Sequence, residues 1–161
     1  MATVTKDNAH NLPDPNFGGV PYGNLAAWHY NLTTNASGVL VASDQATAVA
    51  SGDVVVLGKI PAGTTLIDMY AVISNAFTTS TDFSIGFKYC DGTDVSAVPQ
   101  DDDYFAAAAD GGTAAVLRKT TTTKPLTIPK DAYIILTVAT ATLDEAGVID
   151  IFIIGQIGGP H

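Results

Sequence analysis

An all-β domain built as a two-sheet sandwich is the fold class this sequence predicts, and three observations predict it. The apolar set is rich in Val, Ile and Ala, and Thr is abundant, which suits a pleated, half-buried surface better than a helix. Several short stretches alternate apolar and polar side chains with a period of two. No stretch sustains a helical period between capping residues.

Composition bounds the rest. A chain of 161 residues with 47% hydrophobic and 14% charged side chains can bury a core of its own and is not a disordered segment. The net charge of −9 argues against nucleic acid as a partner, because phosphate binding needs clustered Lys and Arg. Almost all the acid is Asp, with Glu145 the only glutamate, and Asp belongs in turns and at strand ends. One cysteine, Cys90, allows no internal disulfide. No secretion signal opens the chain and no run is long enough to span a membrane, so a soluble protein made in a cytosol is expected.

Residues 1–25 read as an extended arm. Pro13, Pro15, Pro21, Gly18, Gly19 and Gly23 break any period. Phe17, Val20, Tyr22 and Leu25 are apolar residues that a solvated tail would not need, so the arm is expected to dock on its own domain or on a neighbour. Residues 26–161 form the domain.

The strands follow in order. In "AAWHYNLT", Trp28, Tyr30 and Leu32 share one face. "SGVLVAS" is a short apolar run between turn formers. In "DVVVLGKI", Val54, Val56 and Ile60 are assigned inward. In "TTLIDMYAVIS", Ile67, Met69, Ala71 and Ile73 are placed together. "TDFSIGFKYC" is the cleanest, with Phe83, Ile85, Phe87 and Tyr89 on one side. "YFAAAA" fits either one helical turn or a short strand. "TAAVLRK", "KPLTI", "AYIILTVATA" and "GVIDIFIIGQI" complete a count of eight or nine strands.

Two corners look alike. "GKIPAGTTLIDMYAV" aligns with "LTIPKDAYIILTVAT" through Ile60-Pro61 and Ile128-Pro129. In each, Pro fixes φ and removes a ladder donor where a strand ends. Such an echo suits a fold with two similar halves, such as a double Greek-key jelly roll, although Ile-Pro is also a common way to end a strand.

Candidate chemistry is sparse. His10, His29 and His161 show no zinc spacing. Asp91 and Asp94 beside Cys90 oppose a thiolate. Asp101, Asp102 and Asp103, with Asp91 and Asp94, offer oxygens to calcium but lack the order of a calcium loop, and a solvated acidic turn is the better account. Asp68 and Asp150 are the only pair with the flavour of a glycosidase, and the aromatics are not clustered as a sugar platform. No nucleophile elbow, phosphate loop or dinucleotide fingerprint occurs, so no enzyme and no cofactor or metal is expected. What remains is surface. The last two strands are apolar on both faces, and Tyr133, Ile135, Phe152 and Ile154 occupy the second face. Something must cover them: the arm, a second subunit or a docking surface.

The stretch "DVVVLGKIPAGTTLIDMYAVISNAFTTSTDFSIGFKYCDGTD" resembles the core of small structural proteins of tailed bacteriophages, in particular jelly-roll capsid decoration, or cement, proteins. The resemblance covers residues 52–94 and extends to the remainder only in style. It implies a jelly-roll sandwich with an N-terminal arm and no enzymatic site. The implied role is to bind the outer surface of a phage head and bridge neighbouring major capsid subunits. The implied partners are the major capsid protein and further copies of the chain, as a dimer or trimer, with no membrane. The place of action would be the virion, after synthesis in the host cytoplasm. On this basis Phe17, Val20, Tyr22, Leu25, Tyr133, Ile135, Phe152 and Ile154 are the expected partner-binding residues. A carbohydrate- or receptor-binding module of a phage fibre or tail is the alternative. It predicts an exposed aromatic cluster or a calcium site near residues 91–103.

Overall fold

A computed structural model describes residues 2–5 and 25–158. The described residues form ten strands: β1 (Thr3–Thr5), β2 (Leu25–Thr33), β3 (Val54–Ile60), β4 (Thr64–Asn75), β5 (Asp82–Tyr89), β6 (Asp101–Asp110), β7 (Val116–Arg118), β8 (Leu126–Thr127), β9 (Ala132–Ala139) and β10 (Val148–Ile157). One sheet has the order β1-β3-β9-β5-β6; the other runs β2-β10-β4-β7, with β8 also on β4. The described residues contain no helix, and the expected two-sheet sandwich is what they form.

The pairing is nested. β5 pairs with β6, β4 with β7 and β8, β3 with β9, and β2 with β10, all antiparallel. The chain therefore runs as one long antiparallel ribbon that crosses between the two sheets at its corners. Only β1 departs from this, lying parallel to β3 with Val4 opposite Val55. Val4 is fully buried in the core, and the Asp53 carboxylate fastens this end of the chain by accepting from the Ala2 amide at 2.7 Å and the Ala50 amide at 3.0 Å.

The core fills the space between the sheets. β5 presents Phe83, Ile85, Phe87 and Tyr89 to it, and β2 presents Trp28, Tyr30 and Leu32, all as their alternation predicts. Aromatic edges meet faces at Phe77–Phe83 and Phe87–Tyr104, with centroids 5.1 and 5.8 Å apart, the geometry the ring quadrupole favours. The undecided "YFAAAA" is strand, the centre of β6.

Three expectations are corrected by local irregularity. In β3 the inward residues are Val55 and Leu57, while Val54 and Val56 face outward. A bulge at Leu57 then shifts the phase, so Gly58 and Ile60 turn inward. Tyr30 lies on Gly58 so closely that a Cβ there would stand 2.4 Å from the ring. In β4, Ile67 has no partner on β10 because the register skips it, and Leu66 takes the core place assigned to Ile67. "SGVLVAS" is not a strand. Val39 and Leu40 make single bridges, to Ala48 and Thr34, and Leu40 alone of the run's large side chains enters the core.

The two Ile-Pro corners are neighbours. One joins β3 to β4 and the other joins β8 to β9, at the same end of the sandwich, because β3 pairs with β9 and β4 with β8.

Candidate functional site

The surface candidates divide between opposite faces. β9 belongs to one sheet and β10 to the other, so Tyr133 and Ile135 point out from one side of the sandwich and Phe152 and Ile154 from the other. The expectation of a single apolar face shared by the last two strands is therefore corrected. Periodicity says whether a side chain points in or out but not which sheet its strand joins.

On the first face, three cross-strand rows lie side by side. They are Val54–Thr137–Ser84, Val56–Ile135–Gly86 and Lys59–Tyr133–Lys88. Val56 and Ile135 form a small second apolar cluster with Val54 and Tyr133, and are only 2% and 3% exposed. Part of that burial has a visible cause. The β6 backbone folds across the row at Gly86, where a Cβ would stand 2.1 Å from the Asp101 carbonyl oxygen. Ile135 is thus an outward residue that is already covered, and Tyr133 beside it is half-buried.

Charged groups rim this face. Lys59 Nζ pairs with an Asp131 carboxylate oxygen at 2.7 Å, and Lys130 Nζ with Asp91 at 2.8 Å. Lys59 holds the Asp131 carboxyl below the usual carboxylate range, and Lys130 does the same for Asp91. Burial pushes the Cys90 thiol up despite nearby Lys59, which disfavours a reactive thiolate.

The second face is organised by one row drawn from four strands. Arg118 on β7, Tyr70 on β4, Phe152 on β10 and His29 on β2 stand in register. The Arg118 guanidinium lies 4.5 Å from the Tyr70 ring centroid, Tyr70 is 6.0 Å from Phe152, and His29 stacks on Phe152 at 4.6 Å and 13°. Asp150 accepts from Asn31 at 3.0 Å and meets His29 Nε2 at 2.8 Å. Ile154 sits in the next row, between Ala27 and Asp68. These rings are thus grouped as a stack and not as a platform. Arg118 occupies one face of Tyr70, and His29 and Phe152 occupy one another's. A sugar ring needs such a face free.

The remaining candidates are accounted for one by one. Asp68 and Asp150 lie on the same face, but Asp68 is opposite Ile154, so about 13 Å of strand separates them, beyond either glycosidase spacing. Carboxylate oxygens of Asp101, Asp102 and Asp103 lie within 4.8 Å of one another. Burial, followed by the neighbouring Asp103, raises the Asp101 pKa. The other acids of the same stretch are committed elsewhere. Asp94 accepts from the Gln100 amide at 2.7 Å, and Asp91 holds Lys130 and the Thr93 amide. Leu25, at the start of β2, is 68% exposed. Phe17, Val20, Tyr22, His10 and His161 lie outside the described residues.

No family model matches the sequence, and no curated protein does. Solved structures do match the fold. The chain is similar to one in the capsid of Ralstonia phage GP4, with a TM-score of 0.65 and 16% identity over 98% of this chain and 99% of that one. It is also similar to one in the capsid asymmetric unit of cyanophage Pam1, with a TM-score of 0.56 and 14% identity over 91% of each. At such identity the likeness is one of fold, and it runs nearly the length of both chains.

Proposed function

We propose that this protein is a non-enzymatic structural component of a phage virion, which binds the outer surface of the head and cements neighbouring major capsid subunits. The observation that carries the reading is the end-to-end match with a whole chain from a phage capsid structure. The strand order supports its finer part. Nested pairs 5–6, 4–7/8, 3–9 and 2–10, wound into two sheets, are what a double Greek-key jelly roll requires. Of the expected arm, Thr3–Thr5 is held in the sheet as β1 and Leu25 opens β2, so reach to a neighbouring subunit is left to residues 6–24, and further copies of the chain are partners as well as the capsid protein. Tyr133, Phe152, Ile154 and Leu25 are the accessible apolar contacts; Ile135 is covered and acts through packing. Many copies on one lattice convert modest contacts into firm attachment. The fibre or tail module that binds carbohydrate or a receptor is disfavoured, because among the described residues the outward rings stack on Arg118 and on one another and do not present a flat platform.

The test is reconstitution. Heads assembled without this protein are mixed with the purified chain, imaged and heated. Added density on the outer surface between capsid subunits, with a higher rupture temperature, is expected. Heads that remain bare at saturating protein would overturn the reading.

A further inference from the structure

Among the described residues, the outer strands of the two sheets are β1 and β6 in one and β2 and β7 in the other. β1 and β7 have three residues each. β6 carries Asp101, Asp102, Asp103 and Asp110, and its pairing is broken by register shifts. Shortness, charge and bulges are the devices that stop an edge from pairing with another chain. β2 has none of them. Its nine residues run in unbroken register with β10 and include no Asp, Glu, Lys, Arg or Pro.

The direction of its backbone groups follows from the end of the strand. The Thr34 amide donates to the Gly147 carbonyl, on the β10 side, whereas the Thr33 carbonyl accepts from Val41 on the other. Successive residues of a strand alternate in this respect. Leu25, Ala27 and His29 share the parity of Thr33, so their N–H and C=O groups point away from β10. Among the described residues no strand pairs with them.

We propose that this edge pairs with the same edge of a second copy, antiparallel about a two-fold axis, so that the two β2-containing sheets become one. A two-fold axis sets outward residues against outward residues, and each copy offers the other the same donors and acceptors. Charge selects the place. Two chains of net charge −9 repel, and among the described residues β2 is the one long edge at which they meet without a formal charge. The His29 end of the ring row also lies on this edge, and an axis at Ala27 sets His29 against the exposed Leu25 of the other copy, so both are covered. The inference stands whether or not the protein binds a head.

Sedimentation of the full chain tests it with two variants. Ala27→Pro removes an outward N–H and spares the β10 ladder; Ala27→Lys adds an outward charge. The parent should sediment as two chains. Each variant should sediment as one, with the parent's circular dichroism, and its His29 amide should exchange roughly tenfold or more faster. If the proline variant does not fold, the lysine variant decides. A monomeric parent overturns the proposal, including one whose edge amides are protected by its own residues 6–24. So does an oligomer that persists in a folded variant.

Discussion

The Gly63 amide donates to the Ile128 carbonyl at 2.8 Å, and the Ile128 amide in turn donates to the carbonyl of Thr64 at 2.9 Å. Each Ile-Pro corner thus satisfies the backbone of the other. Asp131 completes the clasp, accepting from the Ala62 amide at 2.9 Å and pairing with Lys59. The echo in the sequence is not a duplicated unit. It marks two points on one folded ribbon that must cross between sheets side by side.

Gly63→Ala tests the first corner. Gly63 has φ +78°, and a Cβ there would touch nothing within 4 Å, so the cost is that of the left-handed backbone alone. A loss of about 1–2 kcal/mol is expected from denaturant unfolding. No loss would mean that the corner relaxes to another conformation.

Acid titration separates two aspartates of opposite sign. The folded pKa of Asp131 is depressed, chiefly by Lys59, so its contribution is present above the unfolded value and is lost as pH falls through the folded one. Asp131→Asn should therefore destabilise at pH 7, with a penalty that fades as pH falls through the depressed folded pKa. The folded pKa of Asp101 is raised, chiefly by burial, so its stabilising share is present below the unfolded pKa and lost as pH rises through the folded one. Asp101→Asn should be stabilising at pH 7 and neutral in acid. Urea unfolding at both pH values checks both signs.

The start of the chain should matter to stability. Removing residues 1–5 strips the fully buried Val4 from the core and the Ala2 amide from Asp53. The expected loss is about 2 kcal/mol, the burial of one Val side chain. An unchanged unfolding midpoint would show that β1 contributes nothing.

How far the sequence reveals this molecule depends on what sets each feature. β5 was legible because its pairing runs unbroken with β9, and alternation survives from Phe83 to Tyr89. β3 and β4 were half-legible. Their bulges at Leu57 and Ile67 arise from pairing with β9 and β10, and each reverses the pattern downstream. Val39–Val41 has strand composition but meets only single bridges. The row Arg118–Tyr70–Phe152–His29 had no local signal at all, because register between four distant strands creates it.

The two outer faces can be told apart on the head. Ile154→Lys, opposite Asp68, and Tyr133→Glu, between Lys59 and Lys88, each place a charge on a half-exposed site, one on either side of the sandwich, without setting like charges together. If one face lies against the capsid, only its variant should lose decoration in the reconstitution assay, while both keep the parent's unfolding midpoint. Equal decoration by both would move the contact to the arm.

Tyr30→Phe should stabilise the fold, against the usual direction of core substitutions. Among the described residues the buried Tyr30 hydroxyl has no hydrogen-bond partner, and burial drives its pKa up, so the group carries a desolvation cost and no compensating bond. The ring itself packs over Gly58, and Phe keeps that contact. Deleting the oxygen removes the cost and leaves a gap smaller than a methyl group. A gain of about 1 kcal/mol is expected from denaturant unfolding. A loss of similar size would show that the hydroxyl binds a water between the sheets, and a buried water molecule would then belong to this core.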